Sequence, residues 1–496
     1  MLPTNKEKQD EMEFVSIGEL VPPEHLLRKV ENSIDFEFIR EKVRGMYCAD
    51  NGRPAIDPVV LFKMLFIGYL FGVRSERQLE REIQVNVAYR WFLGFGLRNR
   101  IPDASTLSQN RRRRFSESTV YQEIFDEIVL QAIKLNLVEG KILYTDSTHL
   151  KANANKNKFE EREVKRSTRK YLDELEEDIN EDRQVHGKKV LKVKDKEEET
   201  KTSKISTVDP ESGYMVRDGK PKGFFYLDHR TVDGKHAIIT DSHATPANVH
   251  DSIPYLDRLD RQIGRFGFKV EAVGLDAGYF TPGICKGIEE RNIYGVMGYR
   301  RPNHIKGYFY KRDYQYDVER DSYWCPCGQE IPYRTTNRNG YREYISDAKQ
   351  CRKCECLGKC TRSANCQKVV TRHVWQVSKD HIDKHRLSKK GKAIYARRKE
   401  TVERSFADAK QLHGHRYARM RGLEKVSEQC LLAAACQNIK KIALITARQL
   451  FLSPIRPIKD FFSRFHSILQ ILDVFVRPLN FFSSNNIFST QTENPA

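Results

Sequence analysis

YARRKETVERSFADAKQLHGHRYARMRG, residues 395–422, is the stretch from which the rest of the chain can be read. Its spacing predicts a helix over about Arg397–Leu412. Val402, Phe406 and Ala409 recur at helical spacing and so share an apolar face. Glu403 and Lys410 are seven residues apart and share a second face, turned about 100° from the first. A carboxylate is thereby fixed on a helix whose other side is anchored in a core. Arg397, Arg398, Arg404, Arg416, Arg419 and Arg421 surround it. Alone, such a stretch reads as a solvated helix with ordinary charge pairs. Beside further acids, it suits a site that holds a divalent metal and a phosphate backbone together.

The 496 residues allow two to four domains, and 39% hydrophobic residues supply a real core. A net charge of +19 points to a polyanionic partner, most simply nucleic acid. The opening MLPTNKEKQDEME has no apolar core, so no secretion signal is expected. The apolar run Val59–Val73 is short and broken by Lys63, so no membrane span is expected and the setting should be cytoplasmic, with the nucleoid. No glycine-rich phosphate loop is present, which argues against a nucleotide cofactor. Eleven cysteines occur, and seven crowd between Cys325 and Cys366, which reads as a local metal knot rather than a secreted disulfide scaffold. Cys351 and Cys354 have the spacing of a zinc knuckle, and Cys325 and Cys327 form a tighter pair upstream. Four of Cys325, Cys327, Cys351, Cys354 and Cys360 could hold one structural Zn²⁺; spacing does not choose among them.

Residues 1–138 read as helical. Asp57-Pro58 caps the apolar run VVLFKMLFIGYLFG, with proline at the favoured first position. Ser75-Glu76-Arg77-Gln78 is a capping-box signature. A helix starting at Asp103 or Ser105 carries Arg111, Arg112, Arg113 and Arg114 around its circumference, so some must face outward toward phosphates. From Gly140 the pattern turns to strands. KILYTDSTHLK places Asp146 where a strand would stop, and FKVEAVGLDAGYF places Asp276 at the end of a buried strand. In open α/β sheets, functional groups gather at the carboxyl ends of strands. Residues 156–206 form a charged insertion, expected to be an exposed helical arm or partly disordered, with Tyr171, Leu172 and Leu175 as its few anchors. Val426, Cys430, Leu431, Ala434, Asn438 and Ile442 give a later helix a packing face. FFSRFHSILQILDVFV, within 458–480, is amphipathic and suits a dimer or intradomain contact; the last fifteen residues should be disordered.

Asp146, Asp276 and Glu403 thus form a candidate trio of oxygen ligands. Mg²⁺ wants such ligands and keeps positions open for substrate phosphates. Two ions, Mg²⁺ or Mn²⁺, would serve both halves of a phosphoryl displacement: one activates a water or 3′-hydroxyl, the other stabilises the leaving oxygen. Lys410 could hold a phosphate beside Glu403.

In four stretches the chain resembles the DDE transposases of bacterial insertion sequences, which share an RNase H-like core. GRPAIDPVVLFKMLFIGYLFGVRSERQLEREI with IPDASTLSQNRRRR is similar to their helical N-terminal DNA-binding domain. YTDSTHLKANANK and AVGLDAGYF are similar to the two Asp-bearing strands, and ETVERSFADAKQLHGHRYARMRGLEKV to the Glu helix. The resemblance implies an α/β fold: a mixed five-stranded RNase H-like sheet flanked by helices, an all-α N-terminal domain over 1–138, and a cysteine-rich insertion over 301–380. It would divide the catalytic domain into 139–300 and 381–450, with 451–496 as a tail. It assigns metal binding to Asp146, Asp276 and Glu403, and a catalytic role to Lys410. Relatives place an arginine four residues before the glutamate and a tyrosine three before that. Here Arg398 and Tyr395 sit one residue early, and Glu400 is a near alternative to Glu403. The implied activity is binding of the element's terminal inverted repeats, strand cleavage and strand transfer into target DNA, by a homodimer in a synaptic complex. Arg111–Arg114, Arg404, Arg416, Arg419 and Arg421 are the candidate contacts to double-stranded DNA. The alternative is a non-catalytic, sequence-specific DNA-binding protein derived from such an element.

Overall fold

The computed structural model describes residues 14–48, 55–165, 172–192, 200–216, 219, 222–299 and 305–452. The amphipathic segment 458–480, the tail and the anchor Tyr171 lie outside the described residues.

Asp57 caps the helix Pro58–Leu70 by accepting a hydrogen bond from the Val59 N–H at 2.9 Å. That helix is buried on nearly every side, including Lys63, whose ammonium reaches Glu31 at 2.8 Å. An all-round apolar helix must lie between neighbours, and its chief neighbour is the core helix Leu423–Leu452. Among the described residues this core helix is the one long and apolar enough to cross a membrane. Instead it is the central post of the molecule, packed between Pro58–Leu70, the helix Val120–Lys134 and the main sheet. One continuous hydrophobic core therefore joins the N-terminal helices to the sheet.

The strands follow in chain order: β1 (Ile142–Lys151), β2 (Phe159–Lys165), β3 (Thr200–Ser206), β4 (Gly213–Met215), β5 (Gly223–Asp233), β6 (Ile239–Pro246), β7 (Ala272–Leu275) and β8 (Tyr294–Met297). The main sheet has six strands rather than five. Its order is β4-β5-β1-β7-β8, with β6 also paired to β5. β5 is antiparallel to β1 and β6, while β1, β7 and β8 run parallel. The extra strand is short β4, which lengthens the sheet at the start of β5. At the β6 edge, buried Asn438 brackets Ile239, accepting from its N–H at 2.8 Å and donating to its C=O at 2.7 Å. The core helix thus satisfies backbone groups that an open sheet edge would leave unpaired.

A second, antiparallel sheet interrupts the fold in the cysteine-rich region. It runs β13-β12-β11-β10-β9, built from β9 (Gln315–Asp317), β10 (Ser322–Trp324), β11 (Glu330–Thr336), β12 (Tyr341–Ile345) and β13 (Val369–His373). Its small core is aromatic: Tyr314, Tyr323 and Tyr344 with Ile331 and Val370.

The charged insertion is not a free arm. β2 and β3 pair as a ribbon, and the helix Leu172–Val185 between them docks on the second sheet. Leu175 and Ile179 bury against Trp375, and Asp182 accepts from Arg342 and Thr336. The helix is mostly charged, yet two apolar side chains one turn apart anchor it. The partner they need lies nearly two hundred positions later in the chain.

Candidate active site

β1 alternates, so Tyr144, Asp146, Thr148 and Leu150 share one face and Thr145 and Ser147 the other. The strand does not stop at Asp146; it continues to Lys151 beside β5. What ends is its other neighbour. Parallel pairing with β7 stops at Thr145–Leu275. Asp146 and Asp276 therefore stand side by side where the two strands part. Asp276 then caps a short turn, accepting from the Ala277 N–H at 2.6 Å.

Arg398 joins the two acids. Its Nη2 donates to Asp146 Oδ2 at 2.8 Å, and its Nη1 lies 3.8 Å from Asp276 Oδ1. The same Nη1 donates to the Tyr395 hydroxyl at 3.3 Å. The guanidinium is buried, while the Asp146 side chain is 22% exposed and that of Asp276 53%. Gly298, just past β8, makes room for this arrangement: a Cβ there would sit 2.7 Å from the Tyr395 hydroxyl and 2.9 Å from the Ala277 nitrogen. Burial lifts the Asp146 carboxyl to about 6. Arg398 and the Ser147 N–H pull it down, and the charges of Asp276 and Asp251 push it further up.

The helix predicted from Arg397 to Leu412 is broken. Lys389–Ala396 is one helix, Arg397–Lys399 a 3₁₀ turn, and Val402–Leu412 a second helix. Thr401, with φ −103° and ψ −96°, is the joint. The break has a physical purpose. It turns Arg398 inward to the acids while Val402, Ser405, Phe406 and Ala409 bury against the sheet. Phe406 lies over Arg230, its ring centroid 5.4 Å from the guanidinium carbon, and Arg230 stands opposite Asp146 in the β1–β5 register. The second helix thus covers the face of the sheet that carries Asp146. Glu403 lies in its first turn and is exposed; Lys410 follows two turns on. Glu400 ends the 3₁₀ turn, where its charge acts on buried Tyr144.

Beneath the helix, a fully buried network fixes β5. Asp228 accepts from Arg230 at 2.7 Å and Ser242 at 2.9 Å, and is 2.8 Å from His415 Nε2. Burial opposes the charged form of Asp228, but Arg230 and His415 hold its carboxyl well below the ordinary range. Cys430 lies beside this group. Because Arg230 already neutralises Asp228, the network reads as structural support.

One acid near the site escapes sequence reasoning. Asp251 accepts from the Ser147 hydroxyl at 2.8 Å on the reverse face of β1. Burial raises the phenol of Tyr279 well above its ordinary range, the charges of Asp251 and Asp146 push it further up, and its hydroxyl has no hydrogen-bond partner. Asp251 lies in the His250-Asp251-Ser252 stretch that follows β6, and nothing local in the sequence links it to Ser147.

The arginines divide. Arg112 and Arg113 are exposed on the π-helical turn Asn110–Arg114, and so are Arg404, Arg416 and Arg421. Arg111 is turned inward, 2.6 Å from Glu76 and 3.3 Å from Glu428. Arg114 stacks on Tyr47, and Arg419 on Tyr69, each about 4.0 Å from the ring centroid. Arg111 and Arg419 thus clamp the N-terminal helices to the core helix rather than facing solvent. Gly72, at φ +68°, allows that seam, since a Cβ would lie 2.8 Å from the Leu412 carbonyl. Arg74, Arg112, Arg421 and Lys425 line a groove of about 560 Å³ along it.

The cysteines divide as well. Cys327, Cys354 and Cys356 bring their sulfurs within 4.8 Å of one another. Cys356 was not among the five expected ligands. Cys325 sits in a turn where the Gln329 N–H donates to its sulfur at 3.3 Å, and Cys360 lies 3.1 Å from the Tyr314 hydroxyl, near Cys351.

Two protein families match the chain. One, described as Transposase domain (DUF772), covers residues 15–113. The other, described as Transposase DDE domain, covers residues 324–443. The second match takes in the cysteine-rich region, the Glu403 helix and most of the core helix, while Asp146 and Asp276 lie before it. No curated protein and no solved structure matches the chain.

Proposed function

The chain belongs to the DDE transposases of insertion sequences, metal-dependent enzymes that act on DNA, and on that premise we propose that Asp146, Asp276 and Glu403 are its metal-binding acids. The carrying observation is Arg398. It draws together two carboxylates far apart in sequence, and it does so from the turn that leads into the Glu403 helix. The main sheet supports an RNase H-like reading: three antiparallel strands, β6-β5-β1, followed by two parallel ones, β7-β8. The donors are oxygens at a half-open site, which suits a hard cation such as Mg²⁺ or Mn²⁺. When bound, such ions supply Lewis-acid stabilisation and activation of an attacking oxygen. The chain's own residues do the rest. The Ser147 N–H and Arg398 fix the two carboxylate oxygens of Asp146, Tyr395 supports Arg398, and Lys410 lies on the Glu403 helix to meet a phosphate. Arg112, Arg113, Arg404, Arg416 and Arg421 guide the DNA backbone.

The proposed reaction is cleavage at the terminal inverted repeats and transfer of the freed ends into target DNA. Joining two ends calls for two copies of the chain. Cys327, Cys354 and Cys356, with a fourth ligand from the neighbouring cysteines, would hold a structural Zn²⁺ that stiffens the second sheet. Titration of Mn²⁺ into the metal-free protein, followed by electron paramagnetic resonance, tests the acid assignment. Asp146→Asn, Asp276→Asn and Glu403→Gln should each weaken binding. Wild-type affinity in all three variants would sink it.

A further inference from the structure

A second cavity of about 560 Å³ opens at the far end of β1, and no part of the triad lines it. Its floor is made by an added strand. The Lys151 N–H donates to the Arg416 carbonyl at 3.1 Å, and the Ala418 N–H donates to the Lys151 carbonyl at 2.8 Å. The segment after the Glu403 helix therefore runs parallel to β1 across the Lys151–Tyr417 bridge. Arg421 closes one side by donating from Nε to the Asn153 carbonyl at 3.1 Å.

The lining has a specific chemistry. Tyr417 is 53% exposed, and Lys151 Nζ lies 5.8 Å from its ring centroid. Lys158 and Arg421 add cations, and Asn153 and Asn155 add amides. An exposed aromatic face ringed by cations is a stacking platform within an electrostatic funnel, the arrangement that holds single-stranded nucleic acid. Amides at the rim suit the hydrogen-bonding edge of a base. The volume suits a small guest such as one nucleotide, not a duplex.

Position completes the argument. Lys151 lies five positions along β1 from Asp146, which places the cavity about 17 Å from the acids. The cavity shares Asn153 and Arg421 with the basic groove between the N-terminal helices and the core. We propose that this cavity receives an unpaired base of the DNA strand that crosses the acids, with Tyr417 as its stacking face. The proposal rests on the DNA-processing reading above and adds that the DNA is locally unpaired.

The test compares two probes on the full-length protein: a blunt duplex, and the same duplex with a five-nucleotide single-stranded tail. Stacking tolerates any base, so an arbitrary sequence suffices. The wild type should bind the tailed probe more tightly. Tyr417→Ala should lose about ten-fold on the tailed probe and nothing on the blunt one. Tyr417→Phe should restore the difference, and Asn153→Ala should reduce it. With bromodeoxyuridine in the tail, irradiation should crosslink the DNA to Tyr417. Equal losses on both probes, no loss on either, or no wild-type preference for the tail would overturn the proposal. Binding of neither probe by the wild type would instead sink the DNA reading beneath it, and the proposal with it.

Discussion

Asp146 carries a cost that the fold tolerates for the sake of its site. Its carboxyl is lifted from an ordinary 3.8 to about 6, chiefly by burial and then by the charges of Asp276 and Asp251, against the pull of Arg398. A carboxyl raised in the folded state binds its proton more tightly there than in the unfolded chain. Its contribution to stability is therefore full below pH 4 and is lost as pH rises through about 6. At 1.36 kcal/mol per decade of proton affinity, the loss is at most about 3 kcal/mol. Asp146→Asn keeps the shape and removes the charge. In metal-free protein with EDTA, the variant should gain on the wild type from about pH 4 upward, by about 2 kcal/mol between pH 4.5 and 7.5, with the gain levelling off just above pH 6. Denaturant melts of both proteins across that range measure the difference, and other titrating groups cancel in the comparison. A difference that stays flat from pH 4.5 to 7.5 would refute the reasoning, because the carboxylate would then be as comfortable folded as unfolded.

Arg398→Met should lower stability by about 2 kcal/mol, since it removes the charge-assisted hydrogen bond to Asp146 and the longer one to the Tyr395 hydroxyl; in the same protein Mn²⁺ should bind more tightly, because a competing cation is gone, while strand cleavage falls, all measurable by melting, titration and gel assay. Trp375→Ala should cost about 3–5 kcal/mol locally and release the helix Leu172–Val185, read by limited proteolysis of the arm. Arg111→Met should cost about 1–3 kcal/mol by removing the close ion pair with Glu76, while Glu428, whose carboxyl burial lifts to about 8, keeps its proton near neutral pH; Arg113→Ala should leave the melting temperature alone and weaken DNA binding with a smaller salt slope. Purified protein should contain zinc by elemental analysis, and Cys354→Ser should lose it together with stability of the second sheet, whereas Cys366→Ser should keep both.

How much of this was legible in the sequence depends on the range over which each feature is determined. The face formed by Val402, Phe406 and Ala409 is a local periodicity, and all three side chains are buried as their spacing requires. The caps at Asp57 and Ser75 are equally local, and both accept backbone hydrogen bonds in the structure. Asp276 follows its strand directly, because a buried apolar run announces its own end. The misreadings share a different origin. Asp146 looked terminal because small polar residues follow it, yet β5 continues to pair with them. The break at Thr401 leaves no mark on the apolar pattern, and its reason, the reach of Arg398 to Asp146, is set by tertiary geometry. Arg111 and Arg419 looked like solvent-facing cations because their partners Glu428 and Tyr69 are remote. The charged arm looked free because two leucine-sized anchors carry it, and their receptor, Trp375, is supplied by another part of the chain.

The most direct test of the central claim is cleavage of a labelled duplex bearing the element's ends, with Mg²⁺ or Mn²⁺, by the wild type, Asp146→Asn, Asp276→Asn, Glu403→Gln and Glu400→Gln. The account predicts cleavage at the ends by the wild type and Glu400→Gln, and binding without cleavage by the other three. Normal cleavage by Glu403→Gln, with loss in Glu400→Gln, would contradict it and move the third acid to the far side of the Thr401 break.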